Sequence, residues 1–158
     1  ANSTQSAVNG QRISVQPYSG TSYQQWRLVA VGGGYFNLVS LQTGRVLDTY
    51  YDASINGGKL QLWQLGSGAN QQWKIAQSPT VGYMAIISRS AGQYLDLKPS
   101  DNTPITRLQN VSAQAQQWQI VQVATTTKPT TITSSLESEQ PTNDNTSRKI
   151  FLPVIVKN

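Results

Sequence analysis

Gln24-Gln25-Trp26, Gln71-Gln72-Trp73 and Gln116-Gln117-Trp118 are one triplet met three times, at separations of 47 and 45 residues. Self-similarity at a period of this length marks a repeat architecture, in which each unit buries its apolar face only against its neighbours. A second marker keeps the same register. Gly34-Tyr35, Gly44 and Val46-Leu47-Asp48 are matched by Gly82-Tyr83, Gly92 and Tyr94-Leu95-Asp96, and both sets span 14 residues from the first Gly to the Asp. Three copies of one unit therefore make up residues 1 to about 124.

Inside each unit the apolar residues fall in short alternating runs, such as Tyr35-Phe36-Asn37-Leu38-Val39, Lys59-Leu60-Gln61-Leu62-Trp63 and Gln72-Trp73-Lys74-Ile75. Alternation at period two between Gly, Asn and Ser clusters is the pattern of strands and turns. Gly32-Gly33-Gly34 and Asn56-Gly57-Gly58 interrupt any longer helical period. The expected class is all-β, with about four strands per unit.

Composition narrows the chemistry. The chain has no Cys and no His, which removes disulfide frameworks, thiol chemistry and the usual zinc, copper or iron sites; neither a metal nor a cofactor is expected. Twelve Lys and Arg against seven Asp and Glu give a net charge of +5. Within the repeats, Arg12, Arg27, Arg45, Lys59, Lys74, Arg89, Lys98 and Arg107 are spread singly, a pattern that argues against a nucleic-acid partner. No apolar run reaches the roughly 18 residues of a membrane span.

After Ala124 the chain changes character: residues 125–147 hold twelve Ser or Thr among 23, with Pro129 and Pro141. Such a stretch cannot bury enough surface to offset its ordering entropy, so it reads as an extended, protease-sensitive linker. A basic pair and a compact apolar run follow, Arg148-Lys149-Ile150-Phe151-Leu152-Pro153-Val154-Ile155-Val156, within a final segment 148–158. The Ser/Thr-rich stretch favours export, hence a secreted protein.

The three Gln-x-Trp triplets at these spacings, with Leu47-Asp48 and Leu95-Asp96, resemble those of the ricin-B-type lectins and related carbohydrate-binding modules. The resemblance covers residues 1 to about 124 and implies a β-trefoil, three four-stranded repeats about a pseudo-threefold axis. Trp26, Trp73 and Trp118 are then expected in the core around that axis, with each Gln bonding backbone groups at a corner.

Trp63 stands apart, being outside the triplets and following Leu60 and Leu62 in strict alternation, which turns its ring outward if the leucines turn in. A sugar ring presents a flat C–H face that lies well on an exposed indole. In the family the pocket of a repeat is an Asp after the first hairpin, an aromatic about fifteen residues on, and Asn-Gln at the triplet. The middle repeat carries Asp48, Trp63, Asn70 and Gln71, with Gln61 beside the aromatic. A carboxylate with amides supplies the acceptors and donors that adjacent hydroxyls need, and Gln71 is expected also to link the core corner to Asp48. In the third repeat Asp96 and Gln116 remain, but Ala115 replaces the Asn and the aromatic position falls on Leu108 or Gln109. In the first, Gln16 and Tyr23 stand at the aromatic and Asn positions and the Asp position falls on Ala1, so that repeat reads as cropped at its start.

The expected function is non-catalytic carbohydrate binding through the middle repeat, with galactosides or a plant-type polysaccharide as partner and a fusion to an upstream glycoside hydrolase as context. Residues 1–124 hold only four acids, Asp48, Asp52, Asp96 and Asp101, and no His base, so no catalytic residue is expected. The rival reading is a trefoil whose sugar sites have decayed, serving as a structural or protein-binding module. For the final segment two readings stand: an export or anchoring tail, or an added strand covering the edge near Trp26 that a cropped first repeat leaves, with Pro153 confining it to an edge or bulge.

Overall fold

The computed structural model describes residues 8–17, 19–50, 56–110, 113–122 and 149–151. They form eleven strands: β1 (Gln11–Arg12), β2 (Gln25–Gly32), β3 (Tyr35–Ser40), β4 (Val46–Thr49), β5 (Gly58–Trp63), β6 (Trp73–Gln77), β7 (Met84–Ser88), β8 (Tyr94–Leu97), β9 (Pro104–Arg107), β10 (Val121–Gln122) and β11 (Lys149–Phe151). Among the described residues there is no α-helix. Three single turns of 3-10 helix, Ser22–Gln24, Ala69–Gln71 and Gln114–Gln116, each end on the first glutamine of a triplet.

Pairing closes the sheet on itself. β2 pairs β3, β3 pairs β6, β6 pairs β7, Met84 of β7 bridges Trp118, and β10 returns to β2 through β11, all antiparallel. Closure of this kind leaves no open edge in the barrel. The hairpins β4·β5 and β8·β9 are joined through β5·β9, and β1 lies along β5. The all-β class expected from the strand pattern is the one observed, and the closed sheet is β-trefoil-like, as the resemblance implies. The β2–β3 turn is made by Gly32, Gly33 and Gly34 at φ of 88, 60 and 78°, a left-handed run that residues with a Cβ adopt only under strain.

The core gathers Leu38, Leu47, Leu60, Trp73, Ile86, Leu95 and Trp118, with Ile13, Trp26, Leu28 and Leu97 packed against it. Trp73 and Trp118 are buried, and their indole N–H groups donate to the carbonyls of Leu47 and Leu95, each at 3.0 Å. Trp26 is only half-buried, because it lines a cavity of about 460 Å³ together with Ile13, Leu47, Leu60 and Trp118.

In all three triplets the first glutamine clasps the loop that precedes it. Gln24 donates to the Pro17 carbonyl and accepts from Ser19 N–H; Gln71 does the same with Gln64 and Gly66, and Gln116 with Leu108 and Asn110. The distances run from 2.6 to 3.0 Å. One amide thereby satisfies a donor and an acceptor that a tight corner would otherwise leave unpaired.

The linker expected over 125–147 lies outside the described residues, as do 152–158. Lys149–Phe151 is a strand paired to β2 on one side and to β10 on the other. It therefore lies inside the sheet beside Trp26, where the added-strand reading puts it; Pro153, expected to confine it to an edge or bulge, lies outside the described residues.

Candidate functional site

The register of β4 on β5 builds the site. Val46 faces Trp63, Leu47 faces Leu62, Asp48 faces Gln61 and Thr49 faces Leu60. Directly opposed residues share a face of the sheet, so Leu47, Leu60 and Leu62 enter the core while Asp48, Gln61 and Trp63 share the opposite face. The 3-10 turn Ala69–Gln71 then lays Asn70 and Gln71 over that face, held there by Thr49 Oγ1 donating to the Asn70 carbonyl and Asn37 Nδ2 donating to the Gln71 carbonyl.

Three amides converge on one carboxylate. Gln61 Nε2 donates to Asp48 Oδ1 at 2.9 Å, while Asn70 Nδ2 and Gln71 Nε2 donate to Oδ2 at 2.7 and 2.9 Å. Asp48 is only 3% exposed, and a buried carboxylate without such donors would carry a large desolvation cost. Gln71 has both amide hydrogens engaged, on Asp48 and on the Gln64 carbonyl, and its oxygen accepts from Gly66. It positions Asp48 and has no hydrogen left to offer a ligand. Asn70 and Gln61 each keep one N–H beyond the bond to Asp48.

All five residues expected from the sequence, Asp48, Gln61, Trp63, Asn70 and Gln71, line one recess of about 430 Å³. Trp63 is 37% exposed at its rim. Its flank is propped by the Asn9-Gly10 turn: Gly10 N–H donates to the Leu62 carbonyl at 3.0 Å, and Asn9 Oδ1 accepts from Gln64 N–H and from the Arg45 guanidinium.

Sequence reasoning missed three contributors. Tyr50, exposed and two residues beyond Asp48, lines the same recess, and period-two alternation carried one residue past the end of β4 is the signal that could have found it. Gly68 is the second: a Cβ there would sit 2.2 Å from Asn70 Oδ1, so the glycine makes room for the amide. Asn9 is the third, tied to Trp63 only by folding. Neither of the last two had a sequence signal.

The third repeat has the frame without the ligand groups. Gln116 Nε2 reaches Asp96 Oδ2 at 2.9 Å, but Asp96 Oδ1 accepts from the N–H of Leu97 at 2.6 Å. Strand register sets Arg107 opposite Tyr94 and Ile105 opposite Asp96, so Arg107 and Ile105 hold the places of Trp63 and Gln61. This corrects the expectation of Leu108 or Gln109, which rested on counting residues across a loop whose length differs between the two repeats. Asp101, also in that repeat, caps a turn: the N–H and side chain of Thr103, with Lys98 nearby, hold its carboxyl below the ordinary range.

The recess offers a carboxylate, two amides and an indole, a set suited to holding neutral hydroxyls and a C–H face. Asp52, the acid nearest to Asp48 in sequence, lies outside the described residues. Among the described residues, the lining of the 460 Å³ cavity beside Trp26 carries no carboxylate, and Arg12 is its sole charged group. On chemistry, the smaller recess is the candidate site. No described helix is long and apolar enough to cross a membrane.

The closed all-β barrel and this recess define a trefoil-type binding domain. The chain belongs to the ricin-type beta-trefoil lectin domain-like family, which matches residues 1–63 and 69–140. Among solved structures it is similar to the designed threefold-symmetric protein ThreeFoil, at 29% identity and a TM-score of 0.68 over 77% of this chain and 88% of that one. It is also similar to an exo-beta-1,3-galactanase, 1,3Gal43A from Clostridium thermocellum, at 34% identity and a TM-score of 0.58. There the likeness covers 64% of this chain and 22% of the enzyme. A Polyporus squamosus lectin shares the fold, at 21% identity and a TM-score of 0.53 over 59% of this chain and 34% of that one. No curated protein matches. The family supports a carbohydrate-binding role.

Proposed function

We propose that this chain is a non-catalytic, secreted carbohydrate-binding module whose sugar site is the recess of Asp48, Gln61, Trp63, Asn70 and Gln71. The observation that carries the reading is the convergence of three amides on the buried Asp48 beside a half-exposed Trp63. Galactose-configured sugars are the first choice. Their axial C4 hydroxyl leaves the opposite ring face as a continuous C–H patch for the indole, and it directs the C3 and C4 hydroxyls together toward Asp48 and Asn70. Asp48 Oδ1, which keeps one acceptor site beyond the bond from Gln61, accepts from one of them, the free N–H of Asn70 donates to the other, and Gln71 keeps the carboxylate in place. The likeness to a segment of an exo-beta-1,3-galactanase supports β-1,3-linked galactan as the polysaccharide to try first, and supports a glycoside hydrolase as the fusion partner.

One shallow site with a handful of hydrogen bonds gives a dissociation constant on the order of 0.1 to 1 mM. Calorimetric titration with galactose and galactan oligosaccharides tests the reading: saturable binding at one site per chain, lost in Trp63→Ala with the fold retained, is the expected result. Absence of binding to any member of a broad glycan array would leave the decayed, structural trefoil in its place.

A further inference from the structure

We infer that β11 is the closing strand of the barrel, taking in the first repeat the place that β3 and β7 hold in the second and third. The argument rests on register. Phe36 of β3 is paired to Ala30 and to Trp73, and Met84 of β7 is paired to Gln77 and to Trp118. Ile150 of β11 is paired to Gln122 and to Trp26. Ala30, Gln77 and Gln122 are separated by 47 and 45 residues, the offsets of the triplets themselves. The next position agrees: Val29 with Asn37, Ala76 with Ala85 and Val121 with Phe151. A strand added by chance to an open edge has no reason to meet both neighbours in the repeat's own register. An apolar residue, Phe36, Met84 or Ile150, stands at the equivalent position each time.

The partner of the strand-acceptor groove between β2 and β10 is thus this chain's own C-terminal segment. Five residues connect Ala30 to Phe36 and six connect Gln77 to Met84, whereas 27 connect Gln122 to Ile150. Paired residues at both ends make that long connection an insertion that the barrel does not require, and the carbohydrate-binding unit extends past residue 124.

Amide hydrogen exchange on the full chain, at a concentration where it is monomeric, tests the assignment. Protection of the Lys149–Phe151 amides comparable to that of Gln25–Arg27 is expected. Exchange of 149–151 at the rate of an unstructured peptide overturns it, and so does protection found only in a dimer fraction, which would assign the strand to a second copy. A variant in which residues 123–149 are replaced by a copy of Ser78–Tyr83 gives the positive counterpart. It should fold as a monomer with a raised Tm, because a shorter loop costs less closure entropy. Should that variant fail to fold, the exchange result on the full chain decides alone.

Discussion

Gly68 lies at φ −67 and ψ 143, a conformation open to any residue, so Gly68→Ala strains no backbone. Its Cβ would nonetheless displace the Asn70 amide and break the 2.7 Å bond to Asp48. Galactoside affinity should fall about fivefold to tenfold, roughly 1 to 1.4 kcal/mol, while the thermal midpoint stays near that of the parent; titration alongside a melting curve reads both. Trp63→Ala should remove measurable binding, since the indole supplies the stacking face and fixes the ring's orientation together. Asp48→Asn tests the other half: it trades a charged acceptor for a neutral amide facing three amide donors, so both affinity and stability should drop. Unchanged affinity in either variant would remove the recess from consideration. At this scale the sequence was legible for the five residues set by motif and alternation. It was silent on Gly68 and Asn9, whose roles exist only as close approaches between segments that are distant in the chain or turned back on themselves.

The glutamine clasp belongs to the scale of elements. Gln71 and Gln116 are buried, and truncating either to Ala strands a loop carbonyl, a loop N–H and part of an Asp carboxylate. An unsatisfied buried group costs about 1 to 3 kcal/mol; only the bond to Asp96 is fully buried and the two loop bonds are part-buried and cost less, so Gln116→Ala should destabilise by about 2 to 4 kcal/mol in a denaturant titration. Gln24→Ala, whose bonds are exposed to water, should cost less than half of that. The strands themselves were readable because alternation is a local property. The aromatic place of the third repeat was not, because the loop between β8 and β9 is shorter than that between β4 and β5, and only pairing identifies Arg107 as the equivalent of Trp63.

For the whole molecule, the dispersed charge predicts how binding responds to salt. A neutral sugar held by amides and an indole releases no counterions, so its affinity should be flat from roughly 0.05 to 0.5 M salt, whereas a polyanion ligand would show a steep fall. Closure of the barrel was the least legible feature, because β11 is a short apolar run separated from the repeats by a stretch without pattern, and the edges it joins come into existence only once the rest has folded. Each clasping glutamine secures its corner whether or not a sugar is ever bound there, so the scaffold tolerates the loss of recognition in any one lobe, and natural selection can retire or reinstate a lobe without endangering folding. With the middle recess as the proposed sugar site, the third lobe would be its dormant counterpart, and Ile105→Gln, Arg107→Trp and Ala115→Asn together are the substitutions that should awaken it and turn a one-handed binder into a bivalent one.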